Sequence, residues 1–178
     1  MKITRSFRTL FLICILSCAF LTNAQHNTNP TTTWQVYFSP RGGATSAIVQ
    51  AIDNAKSTVL VQAYSFTSQP IAEAIVRAHE RGVKVQVLLD KSQRTQKYTA
   101  AHFLVQGGIP VLIDASHAIA HNKVIIIDNT IVVTGSFNFT KAAENRNAEN
   151  LLLLQSKELA GLYAENWQNH YRHSVLLR

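Results

Sequence analysis

The sequence predicts an α/β fold in one domain, a mixed β-sheet flanked by helices on both faces. Three observations predict it. Short β-branched, apolar runs alternate with segments whose apolar residues recur at helical spacing, as in strand–helix–strand units. Two later runs, Lys123 to Ile127 and Ile131 to Thr134, are separated only by Asp128-Asn129-Thr130, which makes an antiparallel hairpin and so a mixed sheet. Finally, the 154 residues from 25 to 178 suffice for one substantial core and are too few for two.

Each element follows in order. Gln25 to Thr32 is a polar leader, which puts the folded domain at 33–178. Trp34 to Phe38 reads as a short strand and Ser39-Pro40-Arg41-Gly42-Gly43 as a turn. Ile48, Val49, Ile52 and Ala55 then share a helical face, and Thr58 to Ala63 is a buried strand. Ser68 stands where it can cap a helix over 69–81, with Ile71, Ala74, Ile75 and Ala78 inward and Gly82 ending it. Val83 to Leu89 is a second buried strand that closes on Asp90. A helix near Thr99 to Val105 leads through Gly107-Gly108 to a strand from Pro110 to Ile113. Beyond the hairpin, residues 148–154 form another strand. Ser156 begins a closing helix that carries Leu159, Leu162, Tyr163 and Trp167. The chain has no internal repeat.

Residues 1–24 stand apart. Lys2, Arg5 and Arg8 precede the nearly continuous apolar run Leu10 to Leu21, and Thr22-Asn23-Ala24 gives a small-x-small exit. This is the pattern of a signal peptide cleaved after Ala24, and it places the product in the periplasm or outside the cell, without stable membrane association. Ile15-Leu16-Ser17-Cys18 offers a competing lipoprotein box, disfavoured because Ala19-Phe20-Leu21 is too apolar for an exposed tether. Both cysteines, Cys14 and Cys18, fall in this segment, so residues 25–178 offer neither a disulfide nor a thiolate metal site. Without its three basic residues the formal charge falls from +7 to +4. That excess suits a polyanionic partner without requiring one.

The chemistry concentrates in His121-Asn122-Lys123, Asp128 and Gly135-Ser136-Phe137-Asn138. His121 and Lys123 are two apart where a strand begins, so they share a face; the next positions of that parity, Ile125 and Ile127, are apolar, which puts the polar pair at the strand's end. An imidazole beside an ammonium has little structural use, because each disfavours charge on the other. Next to a phosphate diester the pair makes sense: Lys123 neutralises non-bridging oxygens and a neutral His121 attacks phosphorus. Asp128 has the wrong parity and sits at the hairpin turn, so pinning backbone suits it better than touching that phosphate. Ser136 and Asn138 follow a glycine that permits close backbone approach, and both can donate to phosphate oxygens. Glu149 enters the apolar run Leu151 to Leu154 and needs a partner, for which a histidine N–H or solvent would serve. Tyr64 and Phe66, at a strand end, serve the core or stack on bases. His117 precedes His121 by four, but no cysteine or carboxylate is evident to complete a metal-ligand set around it, so no metal and no cofactor is expected.

With these residues in hand, HNKVIIIDNTIVVTGSFNFTKAAENRNAEN resembles the HKD signature of the phospholipase D superfamily. The likeness runs upstream through SPRGGATSAIVQAIDNAKSTVLVQAYSFTSQPIAEAIVRAHERGVKVQVLLD, and it is strongest to the small, single-motif bacterial secreted or periplasmic endonucleases of that superfamily. The resemblance implies a phospholipase D-like fold and metal-independent cleavage of DNA, with RNA as a further substrate. It also implies roles: His121 the nucleophile, Lys123 binding phosphate, Ser136 and Asn138 at the substrate, Glu149 orienting the histidine, and Asp128 a less direct catalytic member. Superfamily chemistry uses two histidines on opposite sides of phosphorus, and this chain has one H-x-K. A homodimer with a shared site is the simplest supply of the second. The competing readings are a phospholipase D or cardiolipin-type lipid phosphodiesterase, which needs the same chemistry, and a non-catalytic nucleic-acid-binding module, which would not need the imidazole.

Overall fold

A computed structural model describes residues 32–177. The signal segment, Cys18 and the leader up to Thr31 lie outside the described residues. Eight strands form one sheet in the order β1-β7-β6-β5-β2-β3-β4-β8. They are β1 (Thr33–Ser39), β2 (Thr58–Ala63), β3 (Lys84–Asp90), β4 (Val111–Asp114), β5 (Lys123–Ile127), β6 (Ile131–Gly135), β7 (Glu149–Gln155) and β8 (Val175–Leu176). Only β2–β3 and β3–β4 pair in parallel; every other pairing is antiparallel. The mixed sheet is therefore two crossover units, built through α2 (Gln69–Glu80) and α3 (Ala101–Gln106), joined to a meander.

Parity divides the core. Val61, Val87, Ile113, Ile125, Val133 and Leu151 face α1 (Ala44–Asp53), α2 and α3, while Leu88, Leu112, Val124, Ile126 and Val132 face α5 (Lys157–His173). Both faces of the central strands are buried, which is why their sequences are apolar runs and not alternations. Trp167 fixes α5 to the sheet: its ring is 1% exposed and its indole N–H donates to the Val61 carbonyl at 3.0 Å.

Several boundaries differ from the sequence expectation for local reasons. Ser68 stands at the N-cap of α2, yet its hydroxyl makes no capping bond; its N–H instead donates to the Phe139 carbonyl, tying α2 to the loop after β6. Helix α1 is capped from a distance, by the Glu144 carboxylate accepting from Gly43 and Thr45 N–H. Glu144 lies on α4 (Lys141–Asn145), a five-residue helix that is absent from the expected elements, as is β8, because neither is long enough to show a period.

Candidate active site

Lys123 opens β5 beside the last residue of β2, Ala63, and Ser39 ends β1 opposite Glu149, which opens β7. Gly135 ends β6 between them. The sequence-expected residues other than Asp128 thus collect at one edge of the sheet, the carboxyl end of its parallel strands, where open α/β sheets place ligands. Gly135 is required here: its φ is 143°, and a Cβ would lie 2.3 Å from the Asn150 carbonyl oxygen.

His121 is exposed, but its neighbours are fixed. Ala120 N–H donates to the buried Asp90 carboxylate at 2.8 Å, and Tyr64 N–H donates to the Asn122 carbonyl at 2.8 Å. Burial pushes the Asp90 pKa up, but hydrogen bonds from Ser92 and Ala120 outweigh it and hold the carboxyl below its ordinary range. The histidine is therefore presented between two pinned residues.

Lys123 is buried, and its Nζ lies 3.0 Å from His121 Nδ1, 3.1 Å from Nε2 and 3.0 Å from the His121 carbonyl oxygen. The Tyr64 ring packs on both, 4.5 Å from the imidazole by centroids and 5.2 Å from Nζ. Burial lowers the Lys123 pKa from its ordinary value, and the Glu149 charge pulls it back up. Among the described residues Lys123 has no salt-bridge partner. A buried ammonium without a counter-ion is costly unless an anion arrives.

The G-S-F-N-F run alternates like a strand. Phe137 and Phe139 are fully buried anchors, and Phe139 meets Phe66 edge-on at 5.7 Å. Ser136 Oγ accepts from Asn150 N–H at 3.0 Å, leaving its own hydrogen free to donate. The buried Asn138 Oδ1 has no hydrogen-bond partner, and it is the amide nitrogen of this side chain that can donate to a phosphate oxygen. Glu149 reaches Lys123 through its charge, but its carboxylate accepts from Asn147 Nδ2 at 3.1 Å and not from a His121 N–H.

Asp128, a less direct catalytic member by resemblance and a backbone-pinning residue by its parity, stands at the other end of β5 from Lys123, about 16 Å away at strand rise. Its oxygens accept from Lys56, Ser57 and Thr58 N–H and from Ser57 Oγ at 2.7–3.0 Å, so it staples the turn before β2. One reading is corrected, that of His117. A carboxylate does stand beside it, Asp114, and the fold adds His170 and His173 from α5. The signals were D-x-x-H and H-x-x-H, invisible as one cluster because 56 residues separate Asp114 from His170. Tyr64 is a further site residue that sequence left undecided; Phe66 is core.

A reactive imidazole, a buried ammonium and small amide and hydroxyl groups at an open sheet edge define a protein built for phosphoryl transfer. The family comparison agrees. A family model described as "Cardiolipin synthase, PLD-like domain" matches residues 48–171. Phospholipase D of Rickettsia felis is 48% identical over 132 residues, 74% of this chain and 66% of that protein, so the chain spans just under two thirds of its length. Mouse mitochondrial cardiolipin hydrolase is 29% identical over 69% of this chain and 56% of its own. Nuc of Salmonella typhimurium, a phospholipase D family member, superposes with a TM-score of 0.80 at 40% identity, over 83% of this chain and 99% of that one. The chain belongs to the phospholipase D superfamily, a family of phosphodiester hydrolases.

Proposed function

We propose that the protein is a metal-independent endonuclease that cleaves DNA, and RNA to an extent still to be measured, through a phosphohistidine at His121. The observation that carries this reading is the buried Lys123 ammonium, 3.0 Å from the His121 ring and without a carboxylate counter-ion among the described residues. It supplies the positive charge that a divalent ion supplies in other nucleases, so phosphate binding and charge neutralisation need no metal. The formal +4 of residues 25–178 and the similarity to Nuc favour nucleic acid.

Neutral His121 attacks phosphorus, the N–P bond forms and the P–O bond to the leaving group breaks. The leaving oxygen takes its proton from His121 of the partner subunit. Water then attacks the phosphohistidine, gives its proton to that now-neutral imidazole, and releases His121. Lys123, Ser136 and Asn138 hold the non-bridging oxygens, and Glu149 keeps the Lys123 charge in place. The homodimer rests on the single H-x-K and on an uncovered apolar strip. Trp34, Val36 and Phe38 of the edge strand are 67, 43 and 66% exposed, on the face of α5, and the strip runs to the site's edge at Ser39. A second copy packed there brings two sites together.

The names of the Rickettsia and mouse relatives favour a second reading, a lipid phosphodiesterase. Plasmid DNA, RNA and cardiolipin vesicles, each offered at 25 °C with excess chelator, separate the two. Rapid nicking of plasmid with no lipid product is expected; lipid hydrolysis without nicking would reverse the assignment. Mixing wild-type with His121→Ala chains tests the shared site. Equal mixing should leave about one quarter of the activity by random pairing, whereas independent sites leave one half. Export is part of the proposal, and a mature N-terminus at Gln25 by mass spectrometry is its expected sign.

A further inference from the structure

A second cluster of ionisable groups lies at the same sheet edge, two strands from β2, and the catalytic reading does not use it. Asp114 ends β4, and its side chain is 1% exposed. Three imidazoles converge on it: His170 Nδ1 at 2.6 Å from Oδ2, His117 Nδ1 at 3.2 Å from both oxygens, and His173 Nε2 at 3.3 Å from Oδ1. The Ser116 N–H also donates to Oδ1 at 3.1 Å. The three ring centroids lie 4.8–5.5 Å apart.

One carboxylate does not need three histidines. Protonating more than one of them sets like charges side by side, and holding all three neutral and ordered costs side-chain entropy. The arrangement is economical if a cation stands at its centre. The four donor atoms lie within 4.8 Å of one another. A tetrahedral zinc ion with N and O ligands at 2.0–2.1 Å needs them about 3.3 Å apart. Drawing the widest pair together by roughly 1.5 Å requires side-chain motion only. His117 and His173 have the freedom for it, with 45 and 36% of their side chains exposed, and they leave a path for the ion to enter. His170 and His173 are three apart on one helix, so α5 offers both from one face.

We propose that Asp114, His117, His170 and His173 bind one zinc ion as a closed, structural His3Asp site. Four protein ligands leave no open position for substrate, which separates this site from the chemistry at His121. Its role is mechanical. His117 and His121 share the segment between β4 and β5, which is also held by Lys91 Nζ to the His117 carbonyl at 3.0 Å, Ala120 N–H to Asp90, and Tyr64 N–H to the Asn122 carbonyl. An ion at His117 ties the segment that presents the nucleophile to β4 and to the end of α5. It also closes a loop of 56 residues in a chain whose residues 25–178 contain no cysteine. A metal staple there does what a disulfide does in other small domains.

The test uses untagged protein, stripped with chelator and titrated with zinc, and reads binding and melting, not cleavage. The expected result is one zinc per chain with sub-micromolar affinity, and a melting temperature raised by at least about 5 °C at saturation. Cobalt(II) should give the intense visible absorption of a tetrahedral site. His117→Gln and His173→Ala change exposed side chains, so both should fold, melt with the zinc-free wild type and bind zinc at least about a hundred-fold more weakly. Failure of wild-type protein to bind zinc below about 10 μM, or undiminished binding in both variants, would overturn the site. Either outcome leaves the assignment of His121 untouched.

Discussion

The two ends of β5 carry one sequence motif and two kinds of site. At the turn end, Asp128 is surrounded by donors: three backbone N–H groups and one hydroxyl meet its two oxygens. At the other end, Lys123 is buried with no carboxylate at bonding distance among the described residues. A polar group whose bonds are complete holds the fold together. One whose bonds are incomplete is held by the fold at a cost, which an anion bound at Lys123 would offset. H-x-K-x4-D thus joins a scaffold residue and a reactive pair through a buried strand that keeps them apart.

The contrast is broken most directly at His121. His121→Ala removes the proposed nucleophile and, in a shared site, the proton donor, so the rate should fall by at least about 10²–10⁴-fold. The exposed ring makes few core contacts, so melting should move by no more than a degree or two, about 0.5 kcal/mol. Cleavage and melting measured on the same preparation check both halves, and a variant keeping a tenth of the wild-type rate would remove His121 from the chemistry.

Lys123→Met keeps the apolar stem and deletes the charge. Loss of one preorganised cation should lower kcat by about 10²–10³-fold. Burying a methionine costs less than burying an uncompensated ammonium, so the melting temperature should stay level or rise. A sharp fall in melting with activity retained would make Lys123 structural.

Asp128→Ala should give the opposite pattern. Four donors lose their acceptor at a partly solvated turn, for about 1–3 kcal/mol of stability, while kcat/KM per folded molecule stays within about twofold. A pH series sharpens this. Burial pushes Asp128 up, but the hydrogen bonds from Thr58, Lys56 and Ser57 win and hold its pKa below the ordinary carboxylate value. A carboxyl with a lowered folded pKa stabilises fully above its unfolded value and loses that contribution as pH falls through the folded one. The melting gap between wild type and Asp128→Asn should therefore be constant near neutrality and shrink below about pH 4. A gap that widens in acid would mean the carboxylate is not what those donors hold.

What the sequence showed and what it hid follow the same division. The strands were legible because both faces of β2, β3 and β5 are buried, and the site's edge because a polar pair interrupts the parity of Ile125 and Ile127. Asp128's role was legible from its parity. The hidden parts depend on long-range closure. Glu144 reaches Gly43 and Thr45 across about a hundred residues, and His170 reaches Asp114 across 56. Glu149 took Asn147 and not His121, because a residue two positions away was already within reach. No local period encodes such pairings.

Tyr64 is the smallest test and the one that asks how far the reactive end extends. Its ring lies 4.5 Å from the His121 ring by centroids and 5.2 Å from Nζ of Lys123, so it supports both without a hydrogen bond to either. A cation–π contact of this kind contributes about 0.5–1 kcal/mol, so Tyr64→Leu should slow cleavage by roughly three- to ten-fold. The effect should fall on kcat more than on KM, because the ring orients the reacting pair instead of adding uniform substrate binding. Tyr64→Phe keeps the π face and should remain within about twofold of wild type. If Leu and Phe were equally slow, the hydroxyl would be the working group, and if neither were slow the ring would be packing only. If KM rose instead while kcat held, the ring would be stacking on the substrate, which would place a base of a nucleic acid directly over His121.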